Sequence, residues 1–258
     1  MYYETMFTGL MLFGVLFGEP YESLMREGDA AFRRFANESA ITFFEQAYAR
    51  APGNFEVLLR LVRVNNDQGR LLLRKDKIRS EQFYMRAAGW AESLMVKYPN
   101  RAESRFWIAL ARGSLIPFRG VSDKIKIGKE VKANLTEALR IDSTLSTAYV
   151  VFAIFEREGA QLSWFERTIV RVVFGGDMEG TMEESVRLLR KALTIDPGNS
   201  FAWYELHHTY RDMNRLDEAS RALEKVISFT PDNAREALQR TDALRSFERL
   251  NQGNPSGR

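Results

Sequence analysis

Small or apolar residues recur at i, i+4 and i+7 in five places along the chain: Ala40, Phe44 and Ala47; Ala87, Ala91 and Leu94; Val131, Leu135 and Ala138; Ser185, Leu189 and Ala192; Ala219, Leu223 and Val226. That spacing places each set on one face of an α-helix. Each set ends shortly before a turn signal. The turns read Ala51-Pro52-Gly53-Asn54, Tyr98-Pro99-Asn100, Asp142-Ser143-Thr144, Asp196-Pro197-Gly198-Asn199 and Thr230-Pro231-Asp232-Asn233. Proline cannot continue the preceding helix and drives the residue before it toward extended backbone. A further helical pattern follows each turn, such as Trp203, Leu206 and Tyr210 after Pro197. The pattern predicts an all-α chain of helical hairpins.

Pro197 and Pro231 are 34 residues apart, the period of a helix–turn–helix repeat. Trp203, Leu206, Tyr210, Ala219, Leu223, Val226 and Pro231 fall at the positions of the tetratricopeptide repeat, which this unit resembles, with His207 as a departure where that repeat has a small residue. Gly28, Ala31, Ala40, Phe44, Ala47 and Pro52 match the same pattern near the start. Small residues at Gly28 and Ala40 allow two helices to approach, and Phe44, Trp203 and Tyr210 fill the space between hairpins. A hairpin of this kind leaves an apolar face bare, so units must stack. The expected fold is a right-handed superhelix of five tetratricopeptide-like hairpins with inserts and a C-terminal capping helix. The expected boundaries are residues 21–250 for the repeat domain and 251–258 for a disordered tail. Residues 234–250 supply the cap, its polar outer face turned to solvent.

The three middle units are longer than the repeat by 13, 10 and 20 residues, counted between the turn signals. Two of the inserts are distinctive: Lys124-Ile-Lys-Ile-Gly-Lys129 before a second helix, and Leu162-Ser-Trp-Phe-Glu-Arg167 ahead of Phe174-Gly175. With them, about residues 80 to 230 resemble the regulator of microtubule dynamics family, tetratricopeptide-like proteins with eukaryotic and bacterial members. The resemblance implies an all-helical scaffold that works beside membranes. In one eukaryotic branch it implies binding and moving of phospholipids between organelle membranes. Microtubules belong to the family's name. An export signal on so small a scaffold suits a bacterial chain, for which tubulin is not the expected partner.

That export signal is read in residues 1–20. Residues 6–18 hold one Thr, three Gly and otherwise apolar side chains. Thirteen helical residues span about 20 Å, short of the ~30 Å hydrocarbon core, so the stretch suits a signal-peptide core better than a membrane span. An anchor and a packed helix are the alternatives, because no Lys or Arg precedes the run. The corresponding location is exported or in the cell envelope, periplasmic or membrane-associated; the alternative is cytoplasmic. Composition changes this picture little. With 37 Lys+Arg against 34 Asp+Glu and a net charge of +3, nothing favours nucleic acid as partner. No cysteine is present, which excludes disulfides, thiolate metal sites and Cys nucleophiles.

Chemistry-bearing motifs are absent from the sequence: there is no Gly-rich phosphate loop, nucleophile elbow or metal-ligand cluster. The expectation is a protein that is not an enzyme and has no catalytic residue, metal or cofactor. His207 and His208 are consecutive, point about 100° apart on a helix, and are expected to be structural. The primary functional reading is a scaffold that holds a protein or peptide in its concave groove. Candidate groove residues from the first helices are Arg105, Arg112, Tyr149, Glu156 and Tyr204. The alternative reading is a membrane-associated carrier of a lipid or other apolar ligand, motivated by 12% aromatic residues and by an apolar helical face on residues 162–174 that would roof the groove. Trp164 belongs to that roof. Arg119, Lys124, Lys126, Lys129 and Lys132 form a basic patch able to receive phosphate headgroups or an acidic peptide, with a plain solvated face as the alternative. A peptide-carboxylate clamp of the chaperone-binding kind is not expected, since Met25 and Asp29 face inward on the first helix and Asp29 would repel a carboxylate. The leucines of the basic stretch 70–79 read as core residues on a first helix that extends through the stretch.

Overall fold

A computed structural model describes residues 19–162 and 180–253, with side chains as far as Leu250. The segments 1–18, 163–179 and 254–258 lie outside the described residues. So do the signal-peptide core, the roof helix with Trp164, and most of the tail. Eleven α-helices occur among the described residues: α1 Tyr21–Arg33, α2 Asn37–Arg50, α3 Phe55–Leu72, α4 Lys77–Lys97, α5 Ala102–Gly113, α6 Val121–Ile141, α7 Ser146–Ala160, α8 Met182–Ile195, α9 Ser200–Asp212, α10 Leu216–Ser228 and α11 Ala234–Gly253. They pair as five hairpins, α1–α2 through α9–α10, followed by α11.

The i, i+4, i+7 sets are the seams of these hairpins. All fifteen residues are buried, from Ala40 at 0% exposure to Val131 at 4%. Gly28 is the close approach in α1–α2: a Cβ there would stand 2.3 Å from Phe44 Cε1. Gly69 plays the same part in α3–α4, where a Cβ would stand 2.8 Å from the Tyr84 ring. The Pro-x-Asn turns start the next helix because asparagine serves as N-cap. Asn54 Oδ1 accepts from Glu56 N at 2.9 Å, Asn199 Oδ1 from Ala202 N at 3.0 Å and Asn233 Oδ1 from Glu236 N at 3.0 Å. The first-to-second-helix turns of the first and last units place Phe35 (φ 65°) and Asn214 (φ 58°) in the left-handed region. In these turns Ala36 N donates to Ala31 O and Arg215 N to Tyr210 O, the 6→1 bond of a Schellman ending.

The extra residues of the second unit lengthen both helices, to 18 in α3 and 21 in α4. The stretch 70–79 extends the first helix only as far as Leu72, not through its whole length as expected. Helix α3 stops at Leu72 and Asp76 starts α4, its carboxylate accepting from Arg79 N at 3.0 Å. In the third unit a 3₁₀ turn, Ile116–Phe118, precedes the 21-residue α6.

Neighbouring first helices touch one another, α3 with α5 and α7 with α9, which makes the first-helix side the inner wall and the second-helix side the outer layer. The inner wall curls until α11 reaches back to α3 and the turn after it, where Arg74 meets Asp242 168 residues away. Helix α11 is the expected cap, with Thr241, Arg245, Glu248 and Arg249 exposed on its polar outer face. Ala243, Phe247 and Leu250 pack on α9 and α10 as a cap should, but the polar stripe Arg235, Gln239 and Asp242 is not a solvent face. It turns toward α3, because Asp67 of α3 and Arg74 in the turn after it carry charges that pair with the stripe.

Candidate functional site

The inner wall is where the first helices converge, and it is polar in an unusual way. Four consecutive residues of α3, Asn65, Asn66, Asp67 and Gln68, are all buried. Consecutive helical residues point about 100° apart, so only neighbours on several sides can cover all four. Asn65 Nδ2 donates back to Leu61 O at 2.8 Å, Ser114 Oγ donates to Asn66 Oδ1 at 2.9 Å, and Gln68 Nε2 donates to Glu38 Oε1 at 3.3 Å. Asp67 is 2% exposed and ion-paired with Arg235 of α11 at 3.5 Å, while its Oδ2 is buried without a hydrogen bond. Burial raises the Asp67 carboxyl above the usual range, against the pull of Arg235 and Arg63.

Two regions divide the wall. Toward the C-terminus α11 covers it: Arg235 stacks on the Phe201 ring at 5.0 Å, Asp242 meets Arg74 at 3.3 Å, and Tyr204 is buried beneath. Burial, with Asp242 nearby, pushes the Tyr204 phenol up to about 12. Toward the N-terminus the wall is open. There α1, α3 and α5 surround a cavity of about 280 Å³ lined by Asp29, Phe32, Arg60, Arg63, Val64 and Trp107 among others. Arg60 Nε pairs with Asp29 at 3.0 Å, so the carboxylate foreseen as repelling a peptide is already neutralised. Arg63 stacks on Phe32 at 4.7 Å. A larger hollow of about 610 Å³ lies between α8, α9 and α10, with Trp203 and Tyr210 in its lining and Arg190, Arg221 and Lys225 around them.

The expected groove residues separate. Tyr204 is on the inner wall, under α11. Arg105 lies along the α5–α6 seam, donating to Asn134 Oδ1 at 3.3 Å. Arg112 bridges Glu92 of α4 and Glu130 of α6, both on second helices. The Tyr149 hydroxyl donates to Ser143 O at 3.1 Å, and Glu156 accepts from Thr181 N at 3.4 Å. Burial raises the Glu156 carboxyl. These four therefore face the outer layer or their own loop, and the structure does not bring them together with Tyr204. Trp164 lies outside the described residues. Of the basic patch, Arg119 pairs with Glu81 of α4. Lys124, Lys126 and Lys129 are exposed on α6, and Lys132 is half-buried near Glu156. The patch stands on the outer layer, apart from the inner wall.

Sequence reasoning missed Phe32, Arg63, Trp107 and the α3 polar run. The run carried a readable signal, because four successive polar residues inside a helix cannot all reach water. It also missed Arg157, which is 7% exposed between α7 and α9 and pairs with Glu205 at 2.9 Å and Asp212 at 3.8 Å. His207 is buried and its Nδ1–H donates to Ala219 O at 3.1 Å, tying α9 to α10. Among the described residues no group of three or more His, Asp or Glu is placed to hold a metal ion, and no helix is long and apolar enough to cross a membrane.

Known proteins agree with this architecture. A thermophilic TPR protein of Thermus thermophilus superposes with a TM-score of 0.62 at 17% identity, covering 87% of this chain and 98% of that one. This establishes the tetratricopeptide-type helical-repeat fold. Regulator of microtubule dynamics protein 1 of Mus musculus is 23% identical over 189 residues, 73% of this chain and 62% of the relative. Regulator of microtubule dynamics protein 3 of Rattus norvegicus is 22% identical over 169 residues, 65% of this chain and 36% of the relative. The chain thus spans less than two thirds of the length of these relatives. The family model for Regulator of microtubule dynamics protein 1-3 matches residues 24–251, from the first hairpin into the last helix; the chain belongs to that family.

Proposed function

We propose that the protein is a non-catalytic scaffold that holds a segment of a protein partner against its inner wall. The observation that carries this reading is the open N-terminal part of the wall, where Trp107 and the Phe32–Arg63 stack surround a cavity of about 280 Å³. Aromatic and arginine side chains dominate protein-binding hot spots, because they bury large rigid surface and pair with carboxylates. A cavity of this size suits two or three partner side chains better than a whole small ligand, for which pockets start at about 300 Å³. Along α3, Arg60, Arg63 and Arg70 stand against Glu56 and Asp67, with Arg74 just past the helix end. The matching partner is therefore an acidic segment with apolar anchors. The relatives' names concern microtubule dynamics, so tubulin is the first protein to test against this wall. The apolar-ligand alternative rested largely on residues outside the described segments.

The experiment is site-specific photo-crosslinking in the full chain. A benzophenone amino acid at Trp107 is expected to yield protein adducts, identified by mass spectrometry, that vanish with Arg63→Glu. The same probe at Lys126 on the outer layer serves as reference. Equal adducts at both positions, or adducts indifferent to Arg63→Glu, would overturn the reading.

A further inference from the structure

Resting on the inner-wall reading, we propose that α11 is a self-ligand of the wall, displaced by a partner helix that carries an Arg and an Asp seven residues apart on one face. The contact between α11 and α3 has the chemistry of a recognition surface. Arg235 and Asp242 are two helical turns apart, so they project from one side of α11. They meet Asp67 on α3 and Arg74 in the turn that follows α3. Charges match in both pairs, and reversing the helix direction would set like against like, so the pairing reads both sequence and polarity.

The contact is charge-matched yet poorly hydrogen-bonded. Asp67 Oδ2, Arg235 Nε and Gln239 Oε1 are all buried without a hydrogen bond. The Arg235–Asp67 separation of 3.5 Å is longer than a charge-assisted hydrogen bond of about 2.7–2.9 Å. An unsatisfied buried polar atom is costly. A partner helix free to settle at the right distance makes the same pairs with better geometry, whereas α11 is held back by its short link to α10 through residues 229–233. At the rim, the Arg74 side chain is 75% exposed, so an incoming helix meets that cation first.

The test uses the full chain and a fluorescently labelled synthetic peptide of residues 231–250. In the Arg235→Glu/Asp242→Lys chain, α11 is repelled while the α3 wall is unchanged. This chain is expected to bind the wild-type peptide at least about tenfold more tightly than the wild-type chain does, since an occupied wall lowers apparent affinity by the fraction open. A peptide bearing the same two reversals is expected not to bind. Combining Arg74→Glu with Arg235→Glu in a chain that keeps Asp242 leaves α11 repelled at both pairs; this chain should bind the wild-type peptide weakly and an Asp242→Lys peptide well, a compensation that an unfolded chain cannot show. If the double reversal leaves the chain unfolded by circular dichroism, Asp242→Lys alone is read in the same way. Equal binding by wild-type and opened chains, or no compensation at Arg74, overturns the proposal. Photo-adducts at Trp107 without a peptide gain would end this inference and leave the scaffold reading standing. The converse result would end the scaffold reading at the open cavity alone.

Discussion

His208→Gln should flatten the acid limb of the stability profile. His208 sits on α9 with its ring edge against Tyr204, 4.6 Å between centroids. Burial first, then His207, Arg157, Arg211 and Arg70, holds its pKa down to about 3. Each of these neighbours opposes a positive charge, so no carboxylate offsets the burial. In the unfolded chain the same imidazole takes up a proton near pH 6.5. Between those values the unfolded state binds one proton more than the folded state, and stability falls by about 1.4 kcal/mol for each unit by which the pH is lowered. From about pH 6.5 to about pH 4.5 this one residue removes at most about 2.7 kcal/mol. His207, whose pKa burial also lowers, acts in the same direction. Glutamine is polar, suits a helix and does not titrate. Urea midpoints followed by far-UV circular dichroism between about pH 7 and about pH 4.5 should fall more steeply for the wild type than for the variant. Parallel curves would refute the argument, because they would mean that His208 is protonated in the folded chain.

Two further outcomes test the packing. Gly28→Ala places a methyl 2.3 Å from the buried Phe44 ring; overpacking of about 1–3 kcal/mol outweighs a helix-propensity gain of about 1 kcal/mol. A raised thermal midpoint would show that the α1–α2 approach is looser than described. Arg157→Met leaves Glu205 buried and uncompensated at 6% exposure, with an expected loss of about 3–5 kcal/mol that Glu205→Met in the same chain largely restores. Urea unfolding of the two single variants and the double variant measures this, and additive losses would show that the pair is not coupled.

Local rules made the repeat legible. The i, i+4, i+7 sets such as Ala87, Ala91 and Leu94 mark hairpin seams because two close-packed helices demand small or apolar residues at that period wherever they occur. Pro-x-Asn turns such as Pro197-Gly198-Asn199 mark helix starts because a proline ends one helix and an asparagine caps the next within three residues. Both signals act over a few residues, so hairpins, their order and their seams followed from the chain itself. The direction of each first helix's other face did not. Arg105, Arg112 and Glu156 face the outer layer, where Asn134, Glu92, Glu130 and the α8 cap Thr181 meet them, and Tyr149 turns to Ser143 of its own loop. Nothing in helical periodicity tells that face from the one opposite. The meeting of α11 with α3 was still less accessible, because it joins residues 168 apart. The 18- and 21-residue helices of the second unit and the stacking of the hairpins set how far the array curls. Charge pairs formed across that curl have no period along the sequence. The fold class and its seams were thus determined by the sequence alone, while the polarity and occupancy of the inner wall were decided only by the tertiary structure.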